Sequence, residues 1–415
     1  MSQPLQAQEQ HWATPEPHRT LLADLLTRHP GVLAALGQLT SAKHETDGAK
    51  YQFLPTPSFG VERNAQPHKG LTDSRTTFAR LQQPLWTGGR LTAQLDRARS
   101  VEEQATFTVA EQRLSLALRW LQLWAEAQAA ELKLQTFKES EALHIKYVRQ
   151  VENRAKDGHA PRSDVQLSMS RLAAVQAEIA QIQAQRQQTL NKLQQMYGGP
   201  IPLETIHWPA VLPTSRQPGF ANRSHDQWIA MAQDIHPAIQ KSMVTVRTIR
   251  ADAEIAKSRI YPEVYLRGEF IDRDVTGNAQ QIYVGVASNF GAGLSSMASV
   301  ASAQARVQAQ EQDIEVKRRE ITDQVSADLQ TLESQTLRLT YLVQAHESAE
   351  QFMQASERQF DAGRRTWQEL MNTAREKTQA RVQIADAQSI RWLAEQRLAL
   401  MALGLDAYLN NHGKP

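Results

Sequence analysis

Apolar and polar residues alternate with a period of two over 261–272, where Val264, Leu266, Gly268 and Phe270 interleave with Tyr265, Arg267, Glu269 and Ile271. After the turn signal Thr276-Gly277-Asn278 the alternation resumes over 281–290. There Ile282, Val284, Val286, Ser288 and Phe290 interleave with Tyr283, Gly285, Ala287 and Asn289. A period of two puts each set on its own face of a strand, so the pattern predicts a β-hairpin with one apolar and one more polar face. A weaker copy lies in the first half of the chain, with strands at about 51–64 and 76–86 joined through QPHKG.

The period then lengthens. Residues 87–157 and 291–361 are two 71-residue intervals almost without proline or internal glycine. Leu114, Leu118 and Leu121 in the first, and Val325, Leu329 and Leu332 in the second, fall at i, i+4 and i+7, a coiled-coil-like stripe. At about 1.5 Å per residue each helix would run roughly 105 Å. A helix of that length needs partners all along it to cover the stripe. Residues 163–197 and 367–408 are predicted as helices that return antiparallel to the long ones. The Gln-rich run AQIQAQRQQTLNKLQQ is read as helix, because Val175, Ile179 and Ile182 keep helical spacing just before and within it.

These elements occur twice. His29-Pro30 and His236-Pro237 stand 207 residues apart, and so do Pro55 and Pro262. PLWTGG is echoed by SNFGAG, pairing Trp86 with Phe290 and Gly89 with Gly293, and DGHAPRSDV at 157–165 is echoed by DAGRRTWQEL at 361–370. Each unit reads helix, strand, turn, strand, long helix, break, helix. The organisation is an N-terminal segment 1–27, a first repeat 28–199, a linker 200–227, a second repeat 228–408 and a tail 409–415. Where a strand hands over to a long helix, Gly88 and Gly89 follow Trp86, and Gly291 and Gly293 follow Phe290. Glycine lets the backbone swing there without a Cβ clash.

Charge and composition narrow the function. The chain has 46 basic and 44 acidic residues, a net charge of +2, which points to no nucleic acid partner. The absence of cysteine removes disulfides, thiolate metal sites, a cysteine nucleophile and a lipid-modified N-terminal cysteine. Mean hydropathy is −0.51 and no run of 18 apolar residues occurs, so no transmembrane helix is expected. The start, MSQPLQAQEQHWATPEP, is polar, which fits either a cytoplasmic chain or one whose signal has been removed. The twelve histidines form no HExxH, and Gly88-Gly89 lacks the Lys-Ser/Thr of a phosphate loop. His144 and His159 read as surface or tip residues. No catalytic, cofactor or metal site is expected, and the chain is read as a non-enzyme.

Strands of about ten residues match a hydrocarbon core when tilted. A sheet in lipid must close, because an open edge leaves backbone groups unpaired at several kcal/mol each. One chain supplies four strands, so closure takes several chains. Two copies would make a barrel filled by its own side chains, and three a twelve-stranded barrel with a lumen. Tyr265, Arg267, Glu269, Tyr283 and Asn289 would face that lumen, with the helices extending to one side as a tube. A soluble coiled-coil scaffold is the reading from another class, and it leaves the two symmetric hairpins unexplained.

The repeated His-Pro, the strand entries LPTPSFGVE and YPEVYLRGEF, the element PLWTGGRL and the two Gly-x5-Asp/Glu breaks resemble, in this order and spacing, the TolC family of outer-membrane efflux and export proteins. The resemblance runs from Arg28 to about Leu405. It implies a mainly α chain with a small β part: four strands per chain in a shared 12-stranded outer-membrane barrel, and long antiparallel coiled-coil helices forming a periplasmic α-barrel. It further implies a homotrimer in the outer membrane of a Gram-negative bacterium. The implied partners are outer-membrane lipid, a periplasmic adaptor (membrane fusion) protein, and an inner-membrane ABC or RND transporter. The helical breaks would form a periplasmic gate. There Arg365 falls where the family has an arginine linking to the neighbouring coil, with Ser163 and Asp164 as its expected partners. Glu369 falls on a selectivity-ring carboxylate, and three copies around an axis would attract cations. Phe360 stands where a tyrosine can bond across the gate and Asn372 where a second acidic ring occurs, so a single, weaker ring is expected. Adaptor contacts are expected near 145–165 and 350–375. The expected function is a passive gated conduit for type I secretion of a polypeptide, favoured by the missing lipidatable cysteine. Small-molecule, drug or metal efflux is the alternative.

Overall fold

The computed structural model describes residues 17–64, 74–201, 223–273, 277–288 and 295–410. Helices α1 (Pro17–Arg28) and α2 (Pro30–Tyr51) lead into strands β1 (Thr56–Asn64) and β2 (Ser74–Trp86). The long helix α3 (Arg90–Lys156) and its return α4 (Arg162–Tyr197) follow. The order then repeats as α5 (His225–Ile235), α6 (Pro237–Ser258), β3 (Glu263–Arg273), β4 (Gly277–Ala287), α7 (Ser295–Asp361) and α8 (Trp367–Leu403), closed by a short α9 (Leu405–Asn410).

The His-Pro pairs punctuate helices. Pro30 and Pro237 open α2 and α6 at the first helical position, where the missing N–H has no intrahelical partner to lose. The preceding helix closes in each case on the histidine backbone: His29 N–H donates to Leu25 O at 2.9 Å and His236 N–H to Ala232 O at 3.0 Å. Helix α1 thus corresponds to α5, and the repeated unit starts inside the segment 1–27 that the sequence set apart.

Several boundaries differ from the sequence reading. Residues 51–54 finish α2 and its turn, with Leu54 N–H donating to Tyr51 O at 2.9 Å, so β1 begins at Thr56 and not near 51. Gly277 and Asn278 pair with Arg273 and Asp272, so two of the three residues of the turn signal belong to β4, and the strand ends at Ala287. The helix expected over 367–408 breaks at Gly404, whose φ of +84° lies where a Cβ is disfavoured, and continues as α9.

The chain divides into two compact units. One draws on Gly31–Gln112 and Pro237–Glu320 and contains the sheet, a four-stranded antiparallel array in the order β1-β2-β3-β4. The pairing of β2 with β3 joins the hairpins of the two repeats. In this unit α6 runs antiparallel to α3 along Arg97–Asp252 (2.7 Å), Arg247–Glu103 (2.5 Å) and Lys241–Glu111 (2.8 Å). These pairs are exposed and add little individually. Burial of Ile239, Val244, Val246 and Ala251 does more.

The other unit comprises Met1–Pro30, Arg113–His236 and Ile321–Pro415. Its helices pair as antiparallel returns. Arg186 meets Glu131 at 2.6 Å and Gln176 meets Glu141 at 3.0 Å, which sets α4 against α3. Ser389 donates to Ala125 O at 2.6 Å and Lys133 meets Asp386 at 2.6 Å, which sets α8 against α3. Trp120, Leu121, Leu398 and Leu400 are fully buried, with the His18 ring tilted against Trp124 (5.7 Å) and edge-on to Trp392 (5.2 Å).

Candidate functional site

The strand register sorts the sheet into two chemically different faces. Phe59, Val61, Leu81, Leu266, Phe270, Ile282, Val284 and Val286 share one face by their pairing, and all are exposed in the single chain, Ile282 at 82% and Phe59 at 80%. The opposite face carries Ser58, Glu62, Arg80, Gln82, Tyr265, Arg267, Glu269 and Tyr283. A water-soluble sheet of this kind would bury its apolar face against a core. Here it is the apolar face that lies open.

The polar face is tied together across the strands. Arg80 Nε donates to Glu269 Oε1 at 2.9 Å and Nη2 donates to the same oxygen. Arg267 donates to Gln82 Oε1 from Nη2 at 2.6 Å and from Nε at 3.1 Å, and to the Tyr283 hydroxyl from Nη1 at 2.9 Å. Two aromatic rings cover glycines directly opposite them: Phe78 over Gly60, where an added Cβ would meet the ring at 2.5 Å, and Tyr265 over Gly285. Each glycine makes room for a ring lying flat along the wall. Tyr265, Arg267, Glu269 and Tyr283 were read as one face from alternation alone. Arg80 and Gln82 were missed, although Thr76, Phe78, Arg80 and Gln82 alternate on the same face. Asn289 lies outside the described residues.

At the strand-to-helix junction, Gly88 (φ +60°) and Gly89 (φ +86°) both occupy the left-handed region. A Cβ at Gly88 would meet Tyr261 Cβ at 2.7 Å and Ser258 O at 3.0 Å, whereas Gly89 faces open space. Trp86 packs edge-on to Tyr261 at 6.2 Å. An irregularity in the β2–β3 pairing between Pro84 and Trp86 marks a bulge, which bends the strand just before the turn. Thr87 Oγ1 accepts from Leu91 N–H at 3.3 Å, securing the first turn of α3. A concavity of 510 Å³ continues the polar face here, lined in part by Arg80, Arg90, Glu263 and Tyr265. Phe290, Gly291 and Gly293, the second junction, lie outside the described residues.

The far ends of the helices form the other candidate element. Gly158 (φ +79°) and Gly363 (φ +70°) turn α3 into α4 and α7 into α8. A capping box starts α8: Thr366 Oγ1 accepts from Glu369 N–H at 3.4 Å and Glu369 Oε2 accepts from Thr366 N–H at 3.2 Å. Arg365 donates to Ser356 Oγ, lies 3.6 Å from Glu369 Oε2 and stacks over Phe352 at 4.7 Å. Within the chain its partners are therefore Ser356 and Glu369. Ser163 and Asn372 are exposed and Asp164 half-buried. Phe360 is buried under Arg154, whose guanidinium lies 4.0 Å from the ring and donates to Phe360 O at 3.0 Å. Phe360 packs with Tyr147, Val151, Met353, Trp367 and Leu370. Burial and the nearby Glu357 and Asp361 carboxylates push the Tyr147 hydroxyl above the usual phenol range.

His159 sits exposed in the α3–α4 turn, as expected. His144 does not: it is buried on α3, with Nδ1 2.7 Å from Ser140 O, and burial lowers its pKa. The helical stripe turns it inward beside Thr378 and Ser140, which are 3.1 Å apart.

Residues 21–199 and 228–404 match the family described as "Outer membrane efflux protein". Among solved structures the chain is similar to CusC, with a TM-score of 0.82 and 16% identity over 95% of this chain and 93% of that one. It is similar also to the outer membrane protein VceC of Vibrio cholerae (0.80, 18%, 93% and 96%) and to the outer membrane channel MtrE of Neisseria gonorrhoeae (0.73, 16%, 93% and 89%). Among curated sequences no relative matches the chain.

Proposed function

The chain belongs to the outer membrane efflux protein family, and on that premise we propose that three copies pool their sheets into one closed twelve-stranded barrel. The fold is mainly helical with four antiparallel strands, in two family repeats. The observation that carries the proposal is the open apolar face on a sheet whose outer strands, β1 and β4, each have one edge unpaired among the described residues. Lipid satisfies the face, and a neighbouring copy satisfies each edge. The polar face then lines a wet lumen, and the helices form the periplasmic tunnel. The barrel is a passive conduit. An adaptor and an inner-membrane transporter supply recognition and energy at the helical end.

Within this class we read the cargo as small solutes leaving by efflux. The expectation of polypeptide secretion gives way, because the family that matches is described by efflux. The missing cysteine bears on lipid anchoring, not on what passes through. The helical turns act as the gate: Arg365 and Glu369 are held by local bonds, and in the assembly proposed here Ser163 and Asp164 serve as the partners of Arg365 from a neighbouring copy. The test is conductance across planar bilayers. The native protein should give stepwise openings. In the double variant Arg365→Cys, Asp164→Cys, oxidation should link neighbouring chains and lower conductance, and reduction should restore it. Crosslinking without a change in conductance overturns the gate. An absence of any stepwise conductance overturns the channel.

A further inference from the structure

Among the described residues, the charges on the polar face of the sheet balance, with one exception. Nearest the loops, Glu62 and Arg273 stand on one rung, on either side of Thr76, with Glu62 also acting on Arg80. In the middle, Arg80 is paired with Glu269. At the junction Glu263 meets Arg90 at 2.8 Å. That leaves Arg267. Its direct hydrogen-bond partners on the face are neutral: the Gln82 amide oxygen and the Tyr283 hydroxyl, with the Tyr265 ring 4.9 Å from its Cζ. Tyr283 in turn donates to Glu269 Oε2 at 3.4 Å, so one carboxylate serves both arginines and leaves one positive charge over. A guanidinium keeps its charge in such a setting. The carboxylate beside it, Glu269, is screened from the surface, since its side chain is only 8% exposed against 31% for Arg80. The surface presented by the middle of the wall is therefore cationic.

We infer that Arg267 makes the barrel wall an anion-attracting ring, a selectivity element for solutes carrying carboxylate or phosphate groups, separate from the acidic residue at the helical tip. The inference rests on the trimeric barrel proposed above. Gln82 and Tyr283 come from the strands on either side of β3 and hold the guanidinium extended between them, so its position is built by the sheet and not by a flexible chain. Three such charges, on the order of 10 Å from an axis and screened over a Debye length of about 10 Å, raise the local anion concentration by about twofold and lower that of cations by the same factor.

The experiment measures reversal potential across a planar bilayer in a KCl gradient, in a Glu369→Gln background that removes the tip carboxylate. Arg267→Gln should raise the cation-to-anion permeability ratio by about fourfold. Arg267→Lys should leave the ratio near the parent value, because the charge stays. Glu269→Gln should move it the opposite way, by freeing Arg80. Unchanged ratios in pore-forming Arg267→Gln and Glu269→Gln channels overturn the inference and leave the channel intact. If Arg267→Gln does not assemble, Glu269→Gln decides, and a ratio that fails to fall overturns the inference. A parent protein that forms no pores overturns the barrel itself, and this inference with it.

Discussion

Ile282 lies at the midpoint of β4, on the rung Ile282–Gly268–Leu81–Pro57, and is 82% exposed in the single chain. If its face meets lipid, Ile282→Arg places a charge near the centre of the hydrocarbon layer. In transmembrane barrels this costs about 2–4 kcal/mol per chain. Three copies bring the cost to about 6–12 kcal/mol per assembly, comparable to the whole stability of a typical domain. Gln281, one residue earlier, points to the other face, on the rung Gln281–Glu269–Arg80–Ser58. Gln281→Arg there meets water and the Glu269 carboxylate, and should change stability by no more than about 0.5 kcal/mol. The assay is the urea midpoint of protein reconstituted in lipid vesicles, followed by tryptophan fluorescence, with the slope checked for constancy. A water-soluble scaffold predicts that neither exposed substitution matters. Equal midpoints for the two variants would refute the assignment of faces on which the barrel depends.

Two further outcomes follow from particular residues. Gly88→Ala should cost the roughly 1–2 kcal/mol of a left-handed non-glycine residue plus about 1–3 kcal/mol for the collision with Tyr261, while Gly89→Ala costs only the first; denaturation midpoints in the reverse order would contradict the junction geometry. His18, buried beside Arg19, has its pKa lowered from 6.5 to about 3, so between those values the unfolded chain binds a proton that the folded one refuses. The shift costs nothing above pH 6.5, where both states are neutral, and destabilises by about 1.4 kcal/mol for each pH unit below that, down towards pH 3. His18→Gln should flatten the stability profile between pH 6 and 4, and an unchanged slope would show that another group sets it.

The second hairpin is legible because Val264–Phe270 and Ile282–Val286 keep the alternation away from the loop end, and a lipid-facing wall demands such regularity. The first hairpin was harder to read. Gln83, on the apolar face opposite Leu266, and Pro84 interrupt the pattern, and the bulge before Trp86 shifts its phase. Periodicity assigns faces but not neighbours, so the Arg80–Glu269 pair, 189 residues apart, emerged only from the pairing of β2 with β3. At the α7–α8 turn the sequence singles out Arg365 and Glu369 but not their local bonds. The Thr366–Glu369 capping box ties up part of the carboxylate that the resemblance assigns to a selectivity ring, and Ser356 holds Arg365 from the preceding helix. The inward turn of His144 was hidden for a related reason: on a helix whose neighbours line several sides, polar type is a poor guide to exposure.

The most direct measurement is the native mass of the purified, detergent-solubilised protein, read together with its circular dichroism. The account predicts an assembly of three chains, dependent on detergent, whose spectrum combines dominant helix with a clear sheet component. A monomer or dimer that stays in solution without detergent would contradict it, because the open apolar face and the free edges of β1 and β4 would then have no partner.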